Sequence, residues 1–554
     1  MAPTAQELWE PLVRRDTHGV LHHWEENGFG HTPWRDIVAD AHGMAVVLRA
    51  AGVRPGTRVA TVLTNSAHTV RGLLAVWLAG GAVASMPLPA RGQTHRAYGR
   101  RLNALAERLD PVVLLTDEHL APLVPEELTA GLPVFTWPTL YESRHRYART
   151  RLDPSPPGSE ETAFIQFSSG STGSPKGCEL SARAIGAQLA MLREMSGGRP
   201  GAESIASWLP LSHDMGMFGT LLHAWVFDYD FVLSSPERFG MAPRSWFRDM
   251  AEFGATMTAG TNTALHLATR AQGRAVLPEP LRLRVCVVGA ERVDWDTLEA
   301  AATAFGPSGL TRAVFMPAYG MAEATLAVAA TPRATDPVAR SFDGSALNAG
   351  RIVPVADGTP GATLLVSNGP PLPRVTVRAA HPDRVAELVV SSPSLATGYH
   401  GDPGRTSETF RDGALHTGDL GFVHDSEVYF VGRADDLISV GGRNVYAGEV
   451  ESAVEALGPV RAGCSALVDV AASGPPRLVL FLEPQRARDD LALIADRAAA
   501  VAREKSGIAL DECVFVERGG LPRTPSGKIQ RFRCRSLLGR DDGRLKTLAR
   551  VRLG

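Results

Sequence analysis

A run of glycines, hydroxyl side chains and one lysine, FSSGSTGSPKG at residues 167–177, is the stretch best suited to chemistry. Glycines let backbone N–H groups crowd around an anion, hydroxyls add donors, and Lys176 adds a positive charge on a long stem. The preceding TAFIQF predicts a buried strand, and a helix is predicted from Ser181, a suitable N-cap. These features favour a loop that holds a triphosphate over a flexible linker.

The loop departs from the GxxxxGK[ST] pattern, because Pro175 precedes Lys176 and Gly177 follows it. Proline removes an N–H and glycine disfavours a helix start, which predicts a more mobile loop. Residues 168–177 instead resemble the phosphate loop of the acyl-adenylate-forming superfamily, which includes acyl-CoA synthetases, adenylation domains, luciferases and fatty acyl-AMP ligases. The resemblance implies that Lys176 and the loop hold the phosphates of ATP. The loop residues concerned are Ser168, Ser169, Gly170, Ser171, Thr172 and Gly173.

The sequence MPAYGMAEAT at residues 316–325 places a tyrosine four residues before a glutamate. Tyrosine offers a stacking face to a purine, and a carboxylate suits Mg²⁺, which takes oxygen ligands. The resemblance assigns Tyr319 to adenine and assigns Glu323, with Thr172, to Mg²⁺. It adds further nucleotide-binding residues from this motif and from the end of the predicted strand VCVVG, namely Ala318, Gly320, Met321, Gly289, Ala290 and Glu291.

Later motifs follow in the superfamily's order. Asp419, in a predicted glycine-bounded turn, matches the aspartate that binds ribose hydroxyls, and Arg433 offers a bidentate donor to ribose or phosphate. Asp435 matches the hinge about which a small domain rotates. Lys528, in LPRTPSGKIQR, matches the adenylation lysine, which would neutralise charge developing at the α-phosphate.

The sequence PLSHDMG at residues 210–216 resembles the acyl-pocket border of fatty acyl-AMP ligases. His213 is a candidate catalytic residue at the carboxylate end of that pocket, although a lone histidine is more often structural. Asp214, Met215 and Gly216 are expected to line it too. Small residues predict room in the pocket, and large apolar ones predict its walls. The small residues are Gly216, Gly219, Ala259 and Gly260, and the large ones are Trp208, Met215, Met217 and Phe218.

Composition excludes several classes of protein. With 44% hydrophobic and 21% charged residues and a net charge of −2, the chain has the composition of a soluble globular protein and favours neither nucleic acid nor an anionic membrane as partner. No apolar run approaches the roughly 20 residues that span a bilayer. The five cysteines form no CxxC pair, and the N-terminus has no signal-peptide pattern. A cytoplasmic enzyme, monomeric or homodimeric, is therefore expected.

The elements that must position these residues alternate between strands and helices, which predicts a parallel α/β sheet. A chain of 554 residues exceeds one ordinary core. We expect a large adenylation domain with several subdomains over residues 1–433, and a small, mobile α+β lid over residues 434–554 that carries Lys528. Residues 331–373 are poor in periodicity and resemble the insertion by which fatty acyl-AMP ligases hinder the lid's swing.

The resemblance implies that ATP and Mg²⁺ convert a hydrophobic carboxylic acid to an acyl-adenylate and pyrophosphate. The HDMG, AEAT and GRN forms favour transfer to a carrier-protein phosphopantetheine, whereas Gly441, Gly442 and Val445 resemble acyl-CoA synthetases. An enzyme that stops at the adenylate is a third alternative. A hydrolase built on His213 and Asp214 is a further alternative, but the sequence lacks the GxSxG motif of such enzymes. A non-catalytic binding homologue is another, and it would not need to keep the matching residues Lys176, Glu323, Asp419 and Lys528.

Overall fold

The computed structural model describes residues 5–89, 94–147, 152–168, 175–273, 275–440, 443–472, 474–486, 489–523, 529–538 and 546–553. Within them, one large sheet has eight strands that are parallel except at its two edges. Short, almost continuously apolar strands of this kind are typical of sheets covered on both faces. Their spatial order is Ala327–Ala330, Phe315–Gly320, Val285–Gly289, Met257–Thr261, Ser204–Ser207, Asp230–Leu233, Val20–Glu25 and Gly28–Pro33.

A second sheet has seven strands among the described residues, and its central strands are parallel, as predicted. The helix predicted from Ser181 is confirmed, and a strand that the sequence did not indicate lies between the glycine-rich loop and this helix. Lys176 begins this strand, which pairs antiparallel with Thr162–Ser168 because backbone groups of the hairpin bond across it. The spatial order is Gly398–Tyr399, Lys176–Ser181, Thr162–Ser168, Ala82–Ser85, Arg58–Thr61, Val113–Thr116 and Val134–Thr136.

Helices pack between and around these two sheets. Ser181 caps the helix Ala182–Ser196 by accepting from the Ala184 amide, and Gly197 ends it at φ +61°. Trp34, Trp77 and Phe164 lie fully buried in one continuous core shared by the two sheets. The helices of this part are Ala5–Val13, Trp34–Ala50, Ala67–Leu78, His95–Leu109, Glu126–Gly131, Trp137–Ser143, Ala182–Ser196, Asp214–Gly216, Met217–Leu222 (a π-helix), His223–Val226, Pro236–Met241, Ser245–Glu252, Asn262–Gln272 and Trp295–Phe305.

A third, antiparallel sheet follows, formed by Thr376–Ala379, Ala386–Ser391, Phe410–Arg411, Ala414–His424 and Glu427–Arg433. Asp419 was predicted in a turn, and that prediction was wrong. It lies inside the strand Ala414–His424, because it pairs with Arg433 across the ladder. Residues 331–373 contain the antiparallel pair Ala339–Asp343 and Ala362–Val366 with the helix Gly344–Asn348 between them. The helix Pro403–Thr409 precedes Phe410–Arg411.

The C-terminal part combines helices and strands around a core of its own, which includes Val450, Leu480 and Phe515. Its strands are Leu437–Val440, Arg443–Tyr446, Val460–Ala472, Gly474–Pro484, Glu512–Val516 and Thr547–Arg552, and its helices are Ala447–Glu455, Leu491–Ser506 and Arg531–Leu538. In the whole described part of the chain, no helix is both long enough and apolar enough to cross a bilayer.

Candidate active site

A cavity of about 1330 Å³ opens where the first two sheets, the third sheet and the C-terminal part meet. It lies at the carboxyl ends of parallel strands, where open α/β sheets bind ligands. The cavity brings together most of the residues predicted from the sequence. Its lining includes Lys176, His213, Asp214, Met215, Gly289, Ala290, Glu291, Ala318, Tyr319, Gly320, Met321, Glu323, Asp419, Arg433 and Asp435.

Three side chains form one hydrogen-bonded group at the centre of the polar end of this cavity. The Tyr319 hydroxyl donates to Asp419 Oδ2 at 2.7 Å, and Arg433 Nη1 donates to Asp419 Oδ1 at 2.6 Å. Burial and the neighbouring Asp419 charge raise the pKa of Tyr319 well above its ordinary value, so its hydroxyl stays a donor. One face of the Tyr319 ring packs near Phe430, with ring centroids 6.0 Å apart.

Arg433 joins this group to the start of the C-terminal part. Burial lowers the pKa of its guanidinium, but the charges of Asp419, Glu323 and Asp435 outweigh burial and raise it. Arg433 Nη2 also lies 4.0 Å from Asp435 Oδ2. Asp435 stands in a single turn of 3-10 helix, Ala434–Asp436, directly after the strand that ends at Arg433.

Glu323 is held by a residue to which the sequence interpretation gave no role. The Tyr399 hydroxyl donates to Glu323 Oε1 at 2.8 Å, and Lys176 Nζ lies 5.2 Å from the centroid of the Tyr399 ring. Burial, together with the charge of Glu323, raises the pKa of Tyr399. Tyr399 therefore fixes one carboxylate oxygen and leaves the carboxylate charge of Glu323 facing the cavity.

Buried Cys178 lies behind this group. Burial and the nearby Glu323 charge raise the pKa of its thiol well above the ordinary value. Because the thiolate is the reactive form, this cysteine is unsuited to act as a nucleophile.

Backbone shape explains two of the small residues in the nucleotide motifs. A Cβ on Gly320 would lie 1.9 Å from the Leu326 carbonyl oxygen, since the chain folds back into the strand Ala327–Ala330. Ala290 adopts φ +63°, in the left-handed region that non-glycine residues seldom use. Glu291, predicted in the adenine pocket, lines the cavity but also accepts from the Thr263 amide at 2.9 Å, which fixes the start of the helix Asn262–Gln272.

The loop that carries His213 is fixed by side chains that no motif indicated. Asn65 donates to the Leu209 carbonyl at 2.9 Å and accepts from the Leu211 amide at 3.0 Å. Gln166 donates to the Ser212 carbonyl at 2.8 Å. His213 Nδ1 lies 3.5 Å from Asp214 Oδ1 at the wall of the cavity.

An apolar channel leads from the polar end of the cavity along one face of the first sheet. Val285, Val287 and Gly289 alternate along a strand and therefore share that face, about 13 Å from first to last at ~3.3 Å per residue. The helix Ala182–Ser196 covers it with Leu192 and Met195. The other apolar lining residues are Ile205, Met215, Gly219, Met257, Ala259 and Leu326.

The predicted pocket walls need correction. Met215, Gly219 and Ala259 line the cavity, as expected. Gly216 does not, because its backbone presses against Pro210, where a Cβ would lie 2.2 Å from the carbonyl oxygen. Gly260 likewise packs against the Trp246 ring.

The large apolar residues mostly face other cores. Trp208 stacks on Phe239 with ring centroids 3.9 Å apart, and Met217 and Phe218 are fully buried in the shared core. Met217 and Phe218 lie in the π-helix Met217–Leu222, which does not follow the usual period of 3.6, so helical periodicity did not reveal their burial.

Several predicted residues lie outside the described residues, namely Ser169, Gly170, Ser171, Thr172, Gly173, Gly441, Gly442 and Lys528, and the side chain of Ser168 does too. The structure does describe residues on either side of two of these gaps. Ser168 and Lys176 pair across the hairpin, so the two ends of the phosphate-loop motif adjoin. Arg523 and Ile529, which bracket residues 524–528, form a β-bridge and both line the cavity.

The C-terminal wall of the cavity is charged. Arg531 donates to both carboxylate oxygens of Glu451, at 2.8 and 2.6 Å, and to Asp436 at 2.8 Å. Burial lowers the pKa of Arg531, yet Glu451 and Asp436 outweigh it and raise the value. Burial also raises the pKa of Glu455 from 4.5 to about 7, although hydrogen bonds from Ser465 and Gly463 oppose the shift.

Residues 20–400 match the family described as AMP-binding enzyme, which is more than half of the chain. The chain belongs to the AMP-binding enzyme family. Membership, together with the fatty-acid ligases among its relatives, identifies this AMP-binding enzyme as an AMP-forming ligase and sets aside a hydrolase built on His213 and Asp214. Within the described residues no cluster of three or more His, Cys, Asp or Glu side chains could hold a metal ion.

Two relatives and one solved structure illustrate the similarity. JamA of Moorena producens, a medium-chain-fatty-acid–[acyl-carrier-protein] ligase, is 31% identical over 68% of each chain. The long-chain-fatty-acid–AMP ligase FadD26 of Mycobacterium marinum is 30% identical over 92% of each chain. A structure from a study of fatty acyl-adenylate ligases of E. coli and L. pneumophila superposes with a TM-score of 0.86 at 24% identity, covering 97% of this AMP-binding enzyme and 98% of that chain.

Proposed function

We propose that this AMP-binding enzyme is an acyl-AMP ligase that activates a long-chain, apolar carboxylic acid with ATP. The observation that carries the proposal is the continuity of the cavity. An apolar channel about 13 Å long opens directly onto the charged group of Tyr319, Asp419, Arg433 and Glu323. The apolar channel suits an alkyl chain, and the charged group suits a nucleotide.

In the proposed reaction, the carboxylate of the acid attacks the α-phosphate of ATP, pyrophosphate leaves, and an acyl-adenylate forms. Adenine packs on the face of the Tyr319 ring opposite Phe430, and Asp419 accepts from the ribose hydroxyls. His213 lies where the carboxylate enters. The chemistry needs no protein nucleophile, so the residues act by positioning and by neutralising charge.

The β- and γ-phosphates would be held by Lys176 and by the loop that includes Ser168, Ser169, Ser171 and Thr172. Lys176 also lines a smaller cavity of about 290 Å³ together with Arg108 and Arg405, which would suit the departing pyrophosphate. Lys528 would neutralise the charge that develops at the α-phosphate.

Glu323 fits a role in holding Mg²⁺, because its carboxylate lines the cavity and one of its oxygens is already fixed by Tyr399. Mg²⁺ usually keeps several waters and shares substrate phosphates, so one or two carboxylates are enough to bind it. When bound, it neutralises phosphate charge. Thr172 is the second proposed ligand.

We further propose that residues 1–433 form the adenylation domain, that residues 434–554 form a mobile lid, and that Asp435 lies at the hinge. The separate core around Val450, Leu480 and Phe515 supports such a division. We expect the reaction to take place in the cytoplasm, because ATP is a substrate.

The acyl acceptor is proposed to be the phosphopantetheine thiol of a carrier protein. The HDMG and AEAT motifs and the name of JamA, a carrier-protein ligase, support it. A second candidate acceptor is CoA, favoured by buried Val445, which stands where fatty acyl-AMP ligases usually have histidine.

ATP–pyrophosphate exchange tests the first half-reaction. We expect exchange that depends on acids from octanoic to tetradecanoic and is weak with acetic or benzoic acid. Exchange that is equal with acetic acid would contradict the proposed acid class. Single-turnover transfer from the isolated acyl-adenylate to holo carrier protein, to CoA, or to neither then separates the three acceptor possibilities.

A further inference from the structure

Tyr399 borders the smaller cavity and contacts two charged side chains that line the larger one. Glu323 lines the larger cavity, and Lys176 lines both. The Tyr399 hydroxyl donates to Glu323 Oε1 at 2.8 Å, and the centroid of its ring lies 5.2 Å from Lys176 Nζ. One buried side chain therefore joins the lysine proposed for the phosphates to the carboxylate proposed for Mg²⁺.

Backbone contacts hold Tyr399 in this place independently of its hydroxyl. The Ala396 amide donates to the Glu323 carbonyl at 2.8 Å, so the two chain segments adjoin. The Tyr399 amide donates to Thr406 Oγ1 at 2.9 Å, and the short strand that ends in Tyr399 pairs with the strand Lys176–Ser181. A phenylalanine at this position should therefore keep the backbone and the ring where they are.

The hydroxyl of Tyr399 acts on the carboxylate as a hydrogen-bond donor. Burial and the charge of Glu323 raise the pKa of Tyr399, so the hydroxyl keeps its proton near neutral pH. A glutamate side chain turns about several single bonds, and a hydrogen bond to one carboxylate oxygen restricts the direction of the other. Carboxylates that bind metal ions are commonly held by such bonds, and losing the partner typically costs about ten- to hundredfold in metal affinity or activity.

The ring of Tyr399 has a separate effect, on Lys176. An ammonium within about 6 Å of an aromatic centroid is attracted to the face of the ring. This attraction needs the ring and not the hydroxyl, so phenylalanine preserves it. A single substitution can therefore remove the contact with Glu323 and leave the contact with Lys176 in place.

We propose that Tyr399 is a positioning residue for the divalent cation, and that it acts by directing the Glu323 carboxylate into the cavity. This inference rests on the proposed acyl activation and deepens it, because it adds a residue from outside the nucleotide motifs to the metal site. The hydroxyl should matter when a divalent cation accompanies ATP, and it should not matter when ATP binds alone.

Calorimetric titration with ATP in the absence of any acid tests this inference, because no acyl-adenylate can then form. Each protein is titrated once with excess EDTA and once with saturating Mn²⁺, which gives the factor by which Mn²⁺ tightens ATP binding. We expect Tyr399→Phe to lower this factor about tenfold and to leave the Kd in EDTA close to wild type. A merely structural role would instead weaken ATP binding in both titrations.

The variant Glu323→Gln shows whether Tyr399 acts through the carboxylate. In that background, adding Tyr399→Phe should leave the Mn²⁺ factor unchanged, since no carboxylate remains to be directed. Tyr229→Phe is the matched control, because the Tyr229 hydroxyl is also buried, has no hydrogen-bond partner among the described residues, and belongs to a residue that lines neither cavity. This control should keep the wild-type factor.

The outcomes separate this inference from the proposed function. The positioning role is overturned if Mn²⁺ tightens ATP binding equally in wild type and Tyr399→Phe, or if Mn²⁺ has no effect on wild type. An equal loss in the Glu323→Gln background would also overturn it, because the hydroxyl would then act through another group. If no acid supports ATP–pyrophosphate exchange in wild type, acyl activation is wrong, whereas the effect of Tyr399→Phe on Mn²⁺ and ATP is still measured.

Discussion

The two ends of the cavity are built in opposite ways. At the polar end, Asp419 is already bonded within the protein to Tyr319 and Arg433, and Glu323 accepts from Tyr399. Side-chain hydrogen bonds thus fix the polar end, whereas the channel is walled mainly by apolar side chains.

This difference shows which property each end controls. Paired charges keep their orientation when a nucleotide enters, and preorganised groups of this kind lower a barrier without reorganising. An apolar wall gains free energy in proportion to the area it covers, so the channel selects by length and shape. The rate of adenylation should therefore depend on the residues of the polar end, and the choice among acids should depend on the residues of the channel.

The largest expected effect comes from Lys528→Ala. Removing a charge that stabilises the transition state should lower the rate of pyrophosphate exchange by about a thousandfold or more. Circular dichroism and melting temperature should stay close to wild type. Lys546→Ala is the control, since Lys546 is 76% exposed and pairs only loosely with Glu517. Near-normal exchange in Lys528→Ala would falsify the assignment of that lysine.

Glu455, on the C-terminal wall of the polar end, should make stability depend on pH. Its folded pKa, about 7, is raised above the ordinary 4.5, so the folded protein binds the extra proton. Its contribution is complete below about pH 4.5, is lost as pH rises toward 7, and totals on the order of 3 kcal/mol.

Glu455→Gln should flatten the urea-unfolding free energy across that interval. Glu504→Gln, which changes an exposed carboxylate in the same part of the chain, should leave the slope as in wild type. An unchanged slope in Glu455→Gln would show that the carboxylate titrates at its ordinary pKa.

Asp419→Asn should weaken ATP use about thirtyfold in kcat/KM, because hydrogen bonds to a charged group are worth ~2 kcal/mol. The comparison variant is Tyr319→Phe, which keeps the ring and removes only its hydroxyl. The kcat/KM for ATP should fall less in Tyr319→Phe than in Asp419→Asn. An equal loss would mean that the Tyr319 hydroxyl is needed to orient the carboxylate.

Gly219→Leu should have the smallest effect on rate and the clearest one on selectivity. A Cβ there would lie 3.0 Å from Leu326 Cδ2, so a leucine fills the apolar channel. Exchange with tetradecanoic acid should fall about tenfold relative to butanoic acid. Gly240→Leu, at an exposed glycine with open space around it, serves as control. Parallel losses for both acids would place Gly219 outside the acyl path.

Much of the polar end could be predicted from local patterns. Phosphate, purine and metal binding each need particular residue types, and Lys176, Tyr319, Glu323, Asp419 and Arg433 stand in short motifs that carry those types. Tyr399 was missed because it contacts Glu323 across 76 residues of sequence, and a tyrosine in a short strand has no distinctive pattern.

The channel was harder to predict. Trp208, Met217 and Phe218 have the composition of pocket walls, yet they pack into other cores. A hydrophobic residue is buried for the same reason in a core and in a pocket, so sequence alone does not separate the two. Gly216 was misassigned in the same way, because a glycine marks close approach of a backbone as often as open space.

The sequence by itself determined the α/β class, the order of the motifs and the residue types of the polar end, since chemistry restricts which side chains hold phosphate, purine and ribose. Tertiary structure alone decided that Asp419 pairs with Arg433 inside a sheet, that Lys176 begins a strand, and that Tyr399 contacts Glu323. These outcomes depend on which distant segments meet, and local periodicity carries no information about partners that lie far apart along the chain.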